Sequence, residues 1–501
     1  MLATVLSSVI RGLEARLVEV QVDISSGVAG FFLVGLASGS VREAKERVRT
    51  AIRNSGLRFP QRRLTVNLAP AELRKDSSGL DLAIAVGISL AASGRVAPAG
   101  AAFLGELALD GSVRHVDGVL VVARALRRQG VGELFVPEED AAEASLAAGL
   151  RVIPAPTLGS VIGHLLGEET LEPCLPVLPE PKESAPDVDL AEVHGQEAAK
   201  RALEIAAAGG HHLLMWGPPG AGKTMLARCL PGLLPPMDLE EALDLAQVRS
   251  VLGELPASGP LDWRRPFRSP HHSISLAGLV GGGSYLGQPG EVSRATNGVL
   301  FLDELAEFQA TTLQALRQPL EQGKVVITRS GGAVSFPARF QLVAATNPCP
   351  CGWAGDGRRA CRCTSAAVTA YQRALSGPLL DRIDLQVHVP RVQLETLAGE
   401  GSGESSDSVR QRVLAARRRQ EDRQGLLNAE LRPAELRRLA PLQPAARRSL
   451  ERWAGEAALS ARSYHRAWRV ARTLADLDEA SEVQEQHVME ALGYRLVDLA
   501  A

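Results

Sequence analysis

The chain has 501 residues, a formal net charge of −2, and 45% hydrophobic against 4% aromatic residues, which predicts about two to four domains with ample core. Near-neutrality excludes nucleic-acid binding carried by the charge of the whole molecule, so any such contact must come from local patches. No uninterrupted apolar run approaches the roughly 20 residues of a membrane span, the short apolar N-terminus meets Arg11 and Glu14 at once, against a signal peptide, and six cysteines do not suggest a disulfide scaffold in a chain this long; a soluble, cytoplasmic protein without membrane partners is expected.

Residues 1–168 alternate strand-like runs (Leu17–Ile24, Leu64–Leu68) with helical ones (Val41–Ser55, Leu80–Ala92, Val119–Arg128), an α/β pattern. Within it, Arg47, Arg49, Arg53, Arg58, Arg62 and Arg63 are candidate contacts for an anionic partner, though solubility alone would also explain them. Residues 169–189 carry Pro173, Pro176, Pro179, Pro181 and Pro186 among glutamates and read as an extended linker.

A nucleotide-binding block is expected over 190–395. Gly217-Pro218-Pro219-Gly220-Ala221-Gly222-Lys223-Thr224 fits G-x-x-x-x-G-K-[ST], follows the apolar Leu213–Trp216 and precedes a helical pattern. The glycines let backbone N–H groups turn inward around phosphates, Lys223 reaches the outer phosphates, and Thr224 offers its hydroxyl to Mg²⁺. ATP and Mg²⁺ are therefore the expected cofactors. An insertion follows, with His271, His272, Gly281-Gly282-Gly283 and Arg294; its glycines amid small residues read as a mobile hairpin tip or a flexible surface loop.

The apolar run Val299–Leu302 ends at Asp303-Glu304, where Asp303 can hold Mg²⁺ through water and Glu304 can orient the attacking water. Lys324–Arg329 and Val334–Phe336 flank Ser330-Gly331-Gly332-Ala333, a hairpin signature that puts Arg329 near the tip, within reach of phosphates. A third apolar strand, Phe340–Thr346, ends at Asn347, whose amide either meets the γ-phosphate or forms a turn before Pro348. Cys349, Cys351, Cys361 and Cys363 lie within fifteen positions. They read as a four-thiolate Zn²⁺ site or as reduced surface thiols, whereas Cys174 and Cys229 read as ordinary thiols. In Leu379-Leu380-Asp381-Arg382-Ile383-Asp384, Arg382 is either a surface salt bridge worth little or an arginine placed at a neighbour's γ-phosphate, worth roughly 10³–10⁵ in kcat.

Residues 396–408, with Gly401-Ser402-Gly403-Glu404-Ser405-Ser406, form a second flexible connection, and 409–501 is helical. Residues 409–472 hold 16 arginines against 6 acids, a solvated face or a basic patch. Arg462, Arg466 and Arg469 recur on one helix face.

Taken together, the phosphate loop, the Asp-Glu strand, Asn347, the Leu-Leu-Asp-Arg-Ile-Asp element and the helical region resemble AAA+ ATPases. Val34-Gly35-Leu36, Arg53-Asn54-Ser55-Gly56, Val66-Asn67-Leu68-Ala69-Pro70, Phe267-Arg268-Ser269-Pro270-His271-His272-Ser273 and Ala471–Leu477 are similar to the Mg-chelatase-like branch, specifically the YifB/ComM family. The resemblance spans nearly the whole chain. It implies an α/β fold: an N-terminal Lon-protease-like domain, a central AAA+ P-loop domain and a C-terminal helical lid. It also implies a homohexameric ring that drives branch migration of recombining DNA in natural transformation, acting on branched or single-stranded DNA without sequence preference. Val193 to Gln196 would lie near the adenine, and a lid arginine that senses nucleotide in cis would map to Arg469, with Arg466 and Arg472 as rivals. Resemblance to ring motors would turn the insertion toward a central channel, though Arg294-Ala295-Thr296 departs from the family's usual leucine, alanine and histidine. Lys75–Leu80 resembles the protease nucleophile loop, with Ser77 nearest the serine, but Leu120 stands where the lysine belongs, which argues for a scaffold without proteolysis. The alternative function is a magnesium-chelatase motor subunit serving metal insertion into a porphyrin.

Overall fold

The computed structural model describes residues 1–35, 39–75, 78–176, 178, 187–256, 259–283, 287–329, 332–357, 359–375, 379–393, 403–456 and 460–495. The N-terminal strands are β1 (Leu2–Arg11), β2 (Glu14–Ser25), β3 (Gly30–Val34), β4 (Arg63–Ala69), β5 (Ala101–Phe103), β6 (Glu106–Leu107), β7 (Val113–Arg114), β8 (Glu133–Pro137) and β9 (Arg151–Ala155). Seven of them form a mixed sheet in the order β3-β4-β2-β1-β5-β8-β9. In β2 the side chains of Val18, Val20 and Val22 are fully buried while Glu19 and Glu14 face out, the period of two that fixes the register against β1 and β4. The almost wholly buried helix Asp81–Ser93 packs on one face of this sheet, and helix Val119–Arg128 on the other. β1 pairs with β2 along its whole length, although its sequence gives little alternation; its side chains are covered by the helices on both faces of the sheet, Val5 and Val9 on one and Leu6 and Ile10 on the other.

The central strands are β10 (Leu213–Trp216), β11 (Phe267–Arg268), β12 (Gly281–Gly282), β13 (Gln288–Pro289), β14 (Val299–Leu302), β15 (Lys324–Arg329), β16 (Gly332–Pro337), β17 (Gln341–Thr346) and β18 (Leu385–His388). Five make an all-parallel sheet, β11-β14-β17-β10-β18. β14 and β17 are buried at every residue, as parallel strands covered on both faces require, so they appear in sequence as unbroken apolar runs. β15 and β16 form the expected antiparallel hairpin, whose tip residues 330–331 lie outside the described set.

The C-terminal region is helical: Ser406–Gln424, Pro433–Leu439, Pro444–Glu456, Ala461–Leu477 and Glu485–Gly493. Its start is tied to the start of the ATPase block, since Ser406 Oγ accepts from Leu190 N (2.7 Å) and Asp189 accepts from Ser406 N (3.0 Å). The proline-rich segment departs from a free linker at its beginning, where Cys174 N donates to Val152 O of β9 (2.8 Å).

The N-terminal and central parts share a surface. Leu120 packs with Met237, Leu243, Leu245, Ala246 and Leu261. Glu143 accepts from Leu120 N (2.8 Å) and from Ser250 Oγ (2.5 Å). The turn between β1 and β2 also reaches the β15–β16 hairpin: a Cβ on Gly12 would stand 3.0 Å from Val334 Cβ, and one on Gly332 would overlap the Arg11 guanidinium.

Candidate ATP site and cysteine cluster

In a parallel sheet the strand ends that share one edge bring their following loops together. At the C-terminal edge here, β10 leads into the phosphate loop, β14 into Asp303-Glu304 and β17 into Asn347. The loop's shape depends on glycine: Gly220 and Gly222 sit at φ 77° and 90°, and Gly217 lies so close to Val389 O that no Cβ would fit. Pro218 and Pro219 stiffen the rise of the loop, Ala221 is buried beneath it, and Gly222 precedes the helix Lys223–Leu233.

Lys223 is buried, and its Nζ donates to Gly217 O (2.7 Å), Pro218 O (2.9 Å) and Asn347 Oδ1 (3.2 Å). Burial pulls its pKa down to about 8, against the opposing pull of Asp303 and Glu304. Thr224 Oγ1 donates to Asp303 Oδ2 (2.8 Å), which joins a hydroxyl and a carboxylate into a hard-oxygen donor pair suited to Mg²⁺. Glu304 has a left-handed backbone (φ 52°), its N–H donates to Asp303 Oδ1 (2.9 Å), and its carboxylate lies 3.0 Å from His272 Nδ1. Sequence reasoning placed His272 in the insertion and missed this contact; no spacing signal connects residues 272 and 304.

Gln196, also left-handed (φ 61°), starts the helix Glu197–Gly209 and donates to Ala221 O (3.1 Å) and Pro390 O (2.5 Å). It thereby bridges the phosphate loop and the segment after β18, with Val193 buried nearby. The Trp216 and His388 rings lie 4.2 Å apart beside the loop, tilted by 35°.

The arginines lie elsewhere. Arg382 ends a short helix ahead of β18, at the opposite edge of the sheet, and pairs there with Glu321. Asp384, next to it, faces His211 (3.3 Å) and Arg466 (3.8 Å). Burial disfavours its charge, but the His211 hydrogen bond and the charges of His211 and Arg466 overcome this and hold it well below the usual carboxylate range. Arg469 Nε donates to Leu431 O (2.7 Å), and Arg472 is enclosed by Asp476, Ser481 O and Ala480 O. Helix Ala461–Leu477 touches the sheet through Thr473 and His211, ahead of β10. Helix Ala461–Leu477 thus packs at the edge of the sheet opposite the phosphate loop, and Arg466, Arg469 and Arg472 make these contacts there. Much of the arginine excess after 409 is likewise internal, as with Arg423 on Asp476 (2.6 Å) and Arg417 on Ala207 O (2.9 Å).

The four cysteines converge. Their sulfurs lie within 4.8 Å of one another, with Cys349–Cys351, Cys349–Cys361 and Cys351–Cys361 at 3.4, 3.7 and 3.6 Å. A tetrahedral zinc with bonds near 2.3 Å separates its sulfurs by about 3.8 Å, so Cys349, Cys351, Cys361 and Cys363 fit Zn²⁺ in number, chemistry and spacing. The loop presses on the ATP site: a Cβ on Gly352 would stand 2.7 Å from Pro219 Cδ. The guanidinium groups of Arg359 (4.8 Å) and Arg391 (4.4 Å) both lie over the Trp353 ring.

The chain is 45% identical to the competence protein ComM of Haemophilus influenzae, over 99% of this chain and 97% of that one. The chain belongs to the YifB/ComM family. The YifB protein of Escherichia coli is 44% identical over 97% of this chain and 96% of its own length. Residues 189–397 match the magnesium chelatase subunit ChlI family, 20–140 the family of subunit ChlI of Mg-chelatase, and 403–495 the magnesium chelatase subunit ChlI C-terminal family. These matches make it a member of the Mg-chelatase-type AAA+ ATPases. Lon protease 2 of Bacillus subtilis is 29% identical over 187 residues, 32% of each chain, the Lon-like similarity of the N-terminal part. There Lys75 is buried and its ammonium donates to Leu68 O (2.9 Å) and Pro70 O, while Leu120 is buried; Ser77 lies outside the described residues. Among the described residues no helix is long and apolar enough to cross a membrane.

Proposed function

We propose that this protein is an ATP-driven ring motor that moves branched DNA, a branch-migration helicase of recombination in the cytoplasm. One observation carries the reading. Lys223, Thr224, Asp303, Glu304 and Asn347 meet at one edge of the sheet, while Arg382 and Arg469 stand at the other. A site with a triphosphate cradle, a Mg²⁺ donor pair and a carboxylate for the attacking water lacks only a cation for the transition-state charge, which a neighbouring copy would supply. Repeated around a ring, such composite sites make a homohexamer whose firing depends on its neighbours. The competence protein among the relatives supports DNA as the substrate. Sequence independence follows if phosphates are the groups contacted.

In this reading Thr224 and Asp303 hold Mg²⁺, Lys223 and the loop amides hold the phosphates, Glu304 orients water, Asn347 senses the γ-phosphate, and Val193 and Gln196 border the base. The domain limits follow the expectation above, with the ATPase core at 190–395 and the lid from 409. Zn²⁺ at the four cysteines would stiffen the loop that leans on Pro219. The test is an assay of junction movement with and without ATP: a purified chain that neither moves a labelled Holliday junction nor changes its ATP turnover on adding DNA refutes the reading. The ChlI similarity favours a second reading, a motor for metal insertion into a porphyrin, which rescue of a chelatase-deficient pathway would establish.

A further inference from the structure

Among the described residues the N-terminal sheet ends at β3, whose outer edge pairs with no further strand. Around that edge, apolar rings and cations are interleaved. Phe31 and Phe59 lie 6.2 Å apart, centroid to centroid. Above them run Lys45, Arg49 and Arg53, four residues apart on one face of the helix Gly39–Asn54. Lys45 stands 5.9 Å from the Phe31 ring, and Arg49 and Arg53 stand 5.6 and 5.9 Å from Phe59. On the opposite side of β3, the strand's alternation turns Phe32 outward, 47% exposed, with the Arg63 guanidinium 5.2 Å from its ring. Arg49, Arg53 and Arg63 are exposed and have no carboxylate partner among the described residues.

Cation–π attraction and packing on the core account for the cations over Phe31 and Phe59; they do not account for Phe32, 47% exposed, and 4% aromatic content makes three phenylalanines at one edge a concentration. Flat rings bordered by guanidinium groups that have no carboxylate partner among the described residues complement what a single strand of DNA presents, base faces that stack and phosphates to be neutralised. A duplex hides its base faces, so the rings select for single strands.

We propose that the open edge of the N-terminal sheet, where Phe31, Phe32 and Phe59 meet Lys45, Arg49, Arg53 and Arg63, binds single-stranded DNA. The site rests on the DNA-motor reading for its choice of DNA, and it lies outside the ATPase block. It would hold a displaced strand while the ring works on the junction.

The test uses the full chain, a labelled oligothymidylate and a salt titration without nucleotide. Each cation lost from a single-strand contact lowers the log–log salt slope by about 0.7, so Arg49→Ala/Arg53→Ala/Arg63→Ala should flatten it by about 2. Phe32→Ala should weaken binding by roughly fivefold or more while leaving the slope alone, because stacking carries no counterions. Melting transitions equal to that of the unchanged chain show that the variants fold. Photocrosslinking of iodouracil-substituted oligonucleotide to peptides of residues 30–63 completes the support. Unchanged slope and affinity, or crosslinks confined to residues beyond 190, overturn the N-terminal site while the motor stands. Variants that bind DNA normally but fail to assemble assign the edge to a second copy and also overturn it. An unchanged chain with no affinity for any DNA removes the motor reading itself.

Discussion

Arg382 gives the sharpest test of the composite site. It precedes β18, and β18 runs for four residues, Leu385–His388, before the chain reaches the edge of the phosphate loop. At about 3.3 Å per residue the strand alone separates the two edges by roughly 13 Å, farther than a guanidinium extends from its backbone. Arg382→Ala should therefore reduce turnover by roughly 10³-fold or more with nucleotide affinity little changed. Glu304→Gln should be similarly inactive. Glu304 and Arg382 act from opposite sides of a junction, so the two variants can complement each other where they meet in the right order. A site is whole when its own subunit keeps Glu304 and its neighbour keeps Arg382, which holds for about a quarter of sites in a randomly mixed ring. Coupled-enzyme ATPase assays across mixing ratios should trace a maximum near equal proportions, far above either parent. A flat line at the sum of the parents, or an active Arg382→Ala protein at high dilution, refutes shared catalysis.

Four further outcomes are expected. Lys223→Ala should abolish binding of a fluorescent ATP analogue, since the ammonium is the charge that the loop encloses. His272→Ala frees the Glu304 carboxylate from its 3.0 Å partner, so DNA-independent kcat should rise a few-fold and stimulation by DNA should shrink; a collapse like that of Glu304→Gln would show instead that the imidazole is needed for turnover. Zinc should co-purify in equimolar amount, and Cys351→Ser/Cys361→Ser should lose both the metal, read by atomic emission, and part of the nucleotide affinity, because Gly352 leans on Pro219. Asp384→Asn should cost about 3 kcal/mol at pH 7 by leaving buried cations unpaired. Because the folded carboxyl lies below its unfolded value of about 3.9, that stability is fully present above pH 4 and lost as pH falls through the folded pKa, so the melting difference should close in acid.

The convergence of the glycine-rich loop, Asp303 and Glu304 was legible because it is fixed by local geometry: glycine at left-handed positions before Lys223, and a buried parallel strand ending in carboxylates at Asp303 and Glu304. The same logic found the β15–β16 hairpin. The four cysteines declared themselves by proximity in sequence. What escaped depended on contacts between distant segments. Nothing local to Arg469 says that its helix packs on the edge of the sheet holding His211 and Asp384. Nothing local to the arginines after 409 says that Asp476 and Glu204 take up several of them. β1 lacks a clean alternation, so pairing with β2 and β5 had to supply the signal that its own pattern withholds. The cations along residues 45–53 were visible as charge, but the rings beneath them became meaningful only when β3 brought Phe31 beside Phe59.

The turn at Gly12 rests on Val334, and Arg11 lies over Gly332. Both glycines adopt a backbone that admits no larger residue easily, at φ 67° and 116°. If the β15–β16 hairpin swings as fuel is consumed, the amino-terminal module must swing with it or break this joint. A lever and its handle would then be made from segments more than three hundred residues apart, and bulk inserted at residue 12 should stall translocation while every group around the triphosphate stays intact.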